Sequence, residues 1–319
     1  MKHNIKVTLI LISFFLAAQY VGLFIVDQYM TIDVVFDEIT GERTHNMTAA
    51  EELPAGLERP EVSEDYSWLF VMVAIMIGTV LILILAKFKQ KRVWKVWYFI
   101  SLVFILGIAL NPFLGQILAF IASTILAALK TYRPNFYVHN ITEIFLYGGL
   151  AAMLVPIFNI LAAFILLIAI AIYDAIAVWK SKHMVTLAEF QSDSDVFAGL
   201  FIPYSKKDNK IKTRTQSKKS HASSEKNAKS AKRNKADDGV VLERAILGGG
   251  DIAFPLLFAG TVMKTSGFWG AAVIPPFAAL ALLILLYKSK KGRFYPAMPF
   301  ISTGCIVGYV VLAMLTSLF

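Results

Sequence analysis

The sequence predicts an all-α, polytopic membrane protein with nine transmembrane helices, and three observations support this prediction. Hydrophobic residues make up 57% of the 319 residues, and the mean hydropathy is +0.63, which is typical of integral membrane proteins. The apolar residues fall into stretches close to the roughly 20 residues that a helix needs to cross a bilayer. The basic residues lie mainly in alternate loops between those stretches. The nine expected spans are residues 5–26, 68–86, 93–110, 113–129, 141–155, 156–179, 245–264, 268–287 and 296–319.

The first and the shortest spans need separate justification. The first span has no convincing small-residue cleavage site before the acidic stretch that follows, so we interpret it as a retained helix rather than a signal peptide. The fourth and fifth spans are short. The division between the fifth and sixth rests on Pro156, although a proline can also merely kink a helix.

The charge distribution predicts a cytoplasmic N-terminus and an extracellular C-terminus. With this orientation, only Arg43, Arg59 and Lys264 of the 31 Lys and Arg residues lie on the outer side of the membrane. Such a bias toward the cytoplasm is the positive-inside pattern, and removing one span from the count would destroy it. The acidic segment from Asp27 to Asp65 faces outward.

The same distribution divides the chain into three parts. Residues 1–179 hold spans one to six, with an acidic external loop at 27–67. Residues 180–244 form a basic cytoplasmic loop, in which segment 205–238 is rich in Lys, Ser and Asn and is expected to be a largely disordered linker. Residues 245–319 hold spans seven to nine. Because the loops account for the net charge of +9, we expect the membrane lipid, and no nucleic acid, as a partner.

Three acidic residues occur within the expected spans. Glu143 lies near the cytoplasmic end of its span, where snorkelling or a helix N-terminus could tolerate it. Asp174 lies six residues before Lys180, and Asp251 lies seven residues after Arg244. At about 1.5 Å per helical residue, both aspartates are roughly 9 to 11 Å from the cytoplasmic boundary, on consecutive antiparallel helices. Because a charge in hydrocarbon is costly, these two acids are candidate functional residues.

Two carboxyl groups at one depth can share a proton and titrate as a unit. One carboxylate then acts as a base toward water, while the protonated partner polarises a carbonyl group. This chemistry is peptide hydrolysis, and it requires no metal or other cofactor. The sequence therefore predicts Asp174 and Asp251 as a catalytic pair.

Three short motifs accompany the two acids. A tyrosine precedes the first acid, and a glycine triplet before the second lets another backbone approach closely. A segment with a proline at each end opens the last span and leaves backbone groups without helical partners. The motifs are Tyr173-Asp174, Gly248-Gly249-Gly250-Asp251 and Pro296-Ala297-Met298-Pro299.

At these motifs the chain resembles microbial, in particular archaeal, members of the presenilin and signal peptide peptidase family of intramembrane aspartyl proteases. The family's YD and GxGD motifs match at Asp174 and Asp251. Its PAL motif matches in part, because Met298 stands where leucine is expected, and methionine has a similar volume and apolar character. The resemblance covers most of the chain, since nine spans with a long loop between the sixth and seventh are the family's architecture.

The resemblance implies that Asp174 and Asp251 are catalytic and that the segment 296–299 positions the substrate. Presenilins resemble this chain in having a cytosolic N-terminus. By that analogy, the substrates are single-span membrane proteins with an outer N-terminus, cleaved by an enzyme of the cell membrane. The oligomeric state, including a homo-oligomer, stays open.

Two other function classes agree less well with the sequence. A zinc protease is disfavoured because no H-E-x-x-H motif occurs and the five histidines lie outside or at the ends of the expected spans. The alternative hypothesis is a cation channel, or a proton-coupled carrier that uses the same two acids. It would require hydrophilic residues across the whole bilayer, whereas the outer half lacks comparable charges.

A short β-branched segment before the seventh span predicts an edge strand. A helical substrate must unwind before its amides can be cleaved, and an exposed strand can capture the extended segment by β-augmentation. We expect this edge at Val240, Val241 and Leu242, with the proline segment 296–299 alongside.

Overall fold

The computed structural model describes residues 5–36, 43–49, 53–181, 197–206, 241–289 and 295–317. In this part of the chain there are nine α-helices and two antiparallel sheets of two strands each. The helices are α1 (Ile5–Asp27), α2 (Ser67–Lys87), α3 (Lys91–Leu114), α4 (Gln116–Tyr132), α5 (Phe136–Leu154), α6 (Ile160–Ile176), α7 (Gly250–Ala271), α8 (Ile274–Lys288) and α9 (Met298–Thr316). The strands are β1 (Met30–Phe36), β2 (Arg43–Ala49), β3 (Gly199–Lys206) and β4 (Val241–Gly248).

Most of the helices are built to cross a membrane. In the described part of the chain, six of them are long and apolar enough to do so singly, namely α1, α2, α3, α5, α9 and α6 together with the π-helical turn that follows it. Helix α4 is a shorter apolar helix. Helices α7 and α8 pass the same test only as a pair, bent by 90°. The expected number of helices is thus found, but the seventh and eighth form a bent pair rather than two separate long spans.

The boundary between α3 and α4 lies further along the chain than predicted. Pro112 is inside α3, and the break comes at Gly115, whose φ of +72° favours glycine. A proline cannot donate to the carbonyl group one turn earlier, which here belongs to Ile108. The hydroxyl of Tyr29 donates to that carbonyl at 2.7 Å, so the helix continues past the proline.

The break between α5 and α6 occurs at Pro156, as predicted. A 3₁₀ turn covers Val155–Ile157, and α6 begins after it. The side chain of Asn159 accepts a hydrogen bond from the backbone N–H of Ala162 at 2.7 Å. This N-cap starts a new helix, so the proline here separates two helices rather than kinking one.

Helix α5 starts five residues earlier than predicted, at Phe136. The side chain of Asn135 caps it by accepting from the backbone N–H of Tyr137 at 3.1 Å. The added turn places His139 in the first turn of the helix, which agrees with the expectation of a histidine at the end of a span. Polar residues therefore line part of this span.

The predicted start of the seventh span at Ala245 is wrong, because residues 241–248 form strand β4 and α7 begins at Gly250. Ala245 and Leu247 are buried, whereas Ile246 is 54% exposed. This alternation is the two-residue period of a strand. The depth of Asp251 therefore cannot be derived from a helical rise starting at Arg244.

Helix α1 packs against α5, α7 and α8, and its Phe15 and Leu23 are fully buried. The crossing with α5 is close, because a Cβ atom on Gly148 would lie 3.1 Å from the Cα atom of Gly22. By contrast, α2 lies at the periphery, and Ser67 and Val71 are its buried residues.

Lys264, on α7, gathers several chain segments around one cation. Its amino group donates to Glu64 Oε1 at 2.9 Å and to the carbonyl oxygens of Pro156 and Phe158 at 3.1 and 2.9 Å. These carbonyls belong to the α5–α6 break, where the backbone lacks helical partners. Lys264 therefore ties the segment before α2 and the α5–α6 break to α7.

Candidate active site

Asp174 lies in the last turn of α6 and faces the beginning of α9. The backbone N–H of Met298 donates to Asp174 Oδ2 at 3.1 Å, and the backbone N–H of Ala297 also bonds to this carboxyl group. The first N–H groups of a helix have no partner within the helix, and a carboxylate is a favourable acceptor for them. The structure thus brings the first predicted acid and the predicted proline segment together.

The proline segment is shaped by its position at the helix N-terminus. Ala297 is the N-cap of α9, and Pro299 occupies the first turn, where its missing N–H costs no helical hydrogen bond. Pro296 and Met298 are buried. Methionine in the place of the expected leucine therefore packs into the core, while its backbone bonds to the acid.

Asp251 lies in the first turn of α7, directly after β4. The backbone N–H of Gly248, the last residue of β4, donates to the Asp251 carboxyl group. Asp251 is also within electrostatic range of Asp174, and both residues are partly buried. The two acids predicted from the sequence therefore lie in one site, at the meeting point of α6, α7, α9 and β4.

The glycines before Asp251 have unequal requirements for space. A Cβ atom on Gly249 would lie 2.8 Å from the hydroxyl oxygen of Tyr147, which is closer than such contacts occur. A Cβ atom on Gly248 would lie 3.4 Å from Asp251 Oδ2, and one on Gly250 would lie 3.3 Å from the ring of Phe254. The middle glycine, which the GxGD pattern leaves unspecified, is the most constrained.

Tyr173 reaches toward the peripheral helix α2. Its hydroxyl oxygen lies 3.5 Å from Oγ1 of Thr79. The tyrosine preceding the first acid therefore connects α6 to α2.

The predicted edge strand is present and longer than expected. Val240 lies outside the described residues, whereas Val241 and Leu242 open β4, which continues to Gly248. Strand β4 pairs with β3 in the register Gly199↔Gly248 to Lys206↔Val241. The strand therefore leads directly to the turn that precedes Asp251.

One face of this sheet packs onto the helices. Leu200 and Ile202 of β3 are buried, as are Ala245 and Leu247 of β4. A one-residue slip would turn these apolar side chains outward, so burial of this face fixes the register.

A buried ionic cluster beneath the sheet was missed by the sequence analysis. Glu143 is fully buried, and it accepts hydrogen bonds from Lys130 and Tyr147. His139 Nε2 lies 4.0 Å from Glu143 Oε1. Glu143 is therefore a paired core residue of α5, and the expectation of a snorkelling residue is wrong. The spacing 139, 143, 147 places three of its side chains on one helical face, but it carries no signal for Lys130, which belongs to α4.

The residues that the structure describes contain no group of three or more His, Cys, Asp or Glu side chains that could hold a metal ion. Cys305 is buried in α9.

Comparison with known families decides the identity of the chain. A family model described as signal-peptide peptidase, presenilin aspartyl protease matches residues 10–318. The chain belongs to this family. It is accordingly an aspartic-type intramembrane endopeptidase and a multi-pass integral membrane protein.

Solved structures show a similar fold. A presenilin family intramembrane aspartate protease, solved in space group P2, matches with a TM-score of 0.59 and 20% identity, covering 96% of this chain and 97% of that one. A structure with the same description in space group C222 matches with a TM-score of 0.57 and 18% identity, covering 97% and 99%. No curated protein matches the chain.

Proposed function

We propose that this presenilin-family protein hydrolyses peptide bonds within single-span transmembrane segments, with Asp174 and Asp251 as the catalytic pair. The observation that carries the proposal is the site itself, where the two carboxyl groups interact and α9 donates backbone N–H groups to Asp174. Two interacting carboxyl groups can share one proton. The pair can thus supply a base and an acid at once.

The reaction follows the aspartic-protease scheme. The ionised carboxylate removes a proton from water, whose oxygen attacks the peptide carbonyl carbon, while the protonated carboxyl group donates to the carbonyl oxygen. Collapse of the tetrahedral intermediate breaks the C–N bond, and the leaving amine takes up a proton from the pair. Asp174 accepts from two backbone N–H groups and Asp251 from one, which favours the charged form of Asp174 more strongly. We therefore assign the base role to Asp174 and the acid role to Asp251.

The edge of β4 that faces away from β3 is the proposed docking site for the unwound substrate. Both backbone groups of Phe201 in β3 bond to the side chain of Asn140, away from β4. In an antiparallel pair, when one residue directs its N–H and C=O away from the other strand, the residue directly opposite does the same. Ile246, opposite Phe201, therefore turns its N–H and C=O outward, as do Leu242 and Arg244. A substrate strand bonded there would end beside Gly248 and Asp251.

The orientation in the membrane is also part of the proposal. With a cytoplasmic N-terminus, Lys264 and its partner Glu64 lie at the outer end of the molecule, and the acids lie toward the cytoplasm. The loop at 180–244 is then cytoplasmic, between a first part of six helices and a last part of three. Substrates would present their N-terminus outside.

The catalytic assignment is tested with isosteric variants. Asp174→Asn and Asp251→Asn, purified and mixed with a single-span peptide, should each cleave at least about 100-fold more slowly, because each removes an acid–base group. The matched control is Asp65→Asn, which removes an exposed acid whose partner is Asn159. Wild-type rates in either of the first two variants would contradict the proposal.

A further inference from the structure

Two side chains of α5 bond to the outer edge of β3. Asn140 Nδ2 donates to the carbonyl oxygen of Phe201 at 3.0 Å, and the N–H of Phe201 donates to Asn140 Oδ1 at 3.1 Å. His139 Nε2 donates to the carbonyl oxygen of Gly199 at 2.7 Å. The helix therefore fills hydrogen-bonding positions that a third strand would otherwise take.

The amide of Asn140 has no freedom to turn away. Its second N–H donates to the carbonyl oxygen of Phe136 at 3.0 Å, so both amide protons and the amide oxygen are engaged. Asn140 is 2% exposed. Because a buried polar group without a partner is costly, the strand and the helix hold each other in one relative position.

A proline also prevents another strand from pairing with the outer edge of β3. Pro203 lies two residues beyond Phe201 and opposite Arg244, so it has the same outward orientation as Phe201. Proline has no N–H to offer an incoming strand and is tolerated in sheets at such edge positions. Asn140 and Pro203 thus close β3 to β-augmentation, whereas β4 has outward N–H groups.

The same face of α5 also contacts the turn before Asp251. Tyr147, two helical turns after Asn140, places its hydroxyl oxygen 2.8 Å from the position that a Cβ atom on Gly249 would take, and it donates to Glu143. The N–H of Gly249 donates to the carbonyl oxygen of Ala198, just before β3, at 3.3 Å. Helix α5 therefore supports both the sheet and the glycine turn.

We propose that Asn140 is a positioning residue of the protease: by occupying the outer edge of β3, it holds the sheet at one height relative to Asp251, directs the substrate to β4 and thereby sets which peptide bond is cleaved. This inference rests on the proposed docking of substrate on β4. It assigns to a side chain of α5, which carries neither acid, control over the cleavage position.

The test compares Asn140→Ala with Asn111→Ala. Asn111, in α3, is the matched control. Its side-chain amide donates to the hydroxyl oxygen of Tyr29 at 3.2 Å rather than to the sheet. Products from a single-span peptide are mapped by mass spectrometry, and kcat and KM are measured for each variant. We expect Asn140→Ala to spread cleavage over neighbouring bonds and to raise KM about tenfold, with a smaller change in kcat, whereas Asn111→Ala keeps the wild-type sites. A uniform loss of activity with unchanged sites would overturn the proposal, because that is the signature of lost folding alone.

A second measurement does not depend on proteolysis. Amide hydrogen exchange of β3 is followed in full-length protein carrying Asp251→Asn, with and without Asn140→Ala. The Phe201 amide should exchange at least about tenfold faster without the Asn140 side chain, while Asn140→Asp, which keeps the acceptor oxygen, should retain most of the protection. Unchanged exchange in Asn140→Ala refutes the positioning role. A different result is possible: the protein with both aspartates intact cleaves no peptide, while Asn140→Ala still speeds exchange of the Phe201 amide. That result would refute the proposed function but leave the contact between α5 and β3 established.

Discussion

Replacing Ile246 with proline is the sharpest test of substrate capture on β4. The N–H of Ile246 faces away from β3, so its loss leaves the β3–β4 hydrogen bonds in place. Pro203 already occupies an outward position on β3, which shows that this sheet accommodates proline there. The substitution removes one donor from the edge that we assign to the substrate.

The expected effect follows from the substrate carbonyl left without a donor. Such a loss in a buried site costs about 1 to 3 kcal/mol, which corresponds to a decrease in kcat/KM of roughly 5- to 150-fold. The assay is steady-state cleavage of a single-span peptide in detergent or in lipid nanodiscs. The control is Ile246→Ala, which shortens the exposed side chain but keeps the N–H. Equal kcat/KM for the proline and alanine variants would refute docking on the β4 edge.

Two further predictions concern the packing beneath the site. Gly249→Ala should lower activity at least about tenfold, because its Cβ atom would lie 2.8 Å from the Tyr147 hydroxyl. Adding Tyr147→Phe removes that hydroxyl and should recover part of the activity. Failure to recover activity would show that the loss does not arise from the contact with Tyr147. Lys130→Met should destabilise the protein by about 3 to 5 kcal/mol, measured by thermal unfolding in detergent, because it leaves the fully buried Glu143 without its cation. Adding Glu143→Gln should restore much of this stability, and a double variant no more stable than Lys130→Met would contradict the assigned ion pair.

The two acids of the proposed catalytic pair could be identified because their signals are local in sequence. Asp174 and Asp251 are acids in apolar surroundings, each with a short motif beside it. The proline segment was recognisable because two prolines open a span. These features depend on residue type and chain order, which a sequence displays directly.

The strand before α7 could not be predicted in full because its inner residues are apolar and continue into the helix. Ala245 and Leu247 extend a hydrophobic run that serves equally well as helix or strand. The alternation is visible only once Ile246 is known to be exposed. The strand conformation is fixed by pairing with β3. Strand β3 lies more than 30 residues earlier in the chain, and a segment of different composition separates the two strands.

The ionic cluster was missed because its two charges lie on different helices. Lys130 ends α4 and looks like a loop charge, and Glu143 looks like a residue near a helix end. Their attraction becomes apparent only when both side chains are buried against one another. The N-cap at Asn135 was the readable clue, since it moves the start of α5 and places His139 and Glu143 one turn apart.

The contacts of Lys264 have a consequence for the relative placement of the two acids. Lys264 lies 13 residues after Asp251 on the same helix, about 20 Å away, and it is held by Glu64 and by two backbone carbonyls. Those carbonyls immediately precede α6, the helix that ends with Asp174. One ammonium group therefore links the start of the helix that carries one acid to the helix that carries the other. The spacing of the two acids along the helix axes is thus fixed in part by a contact about 20 Å away from them.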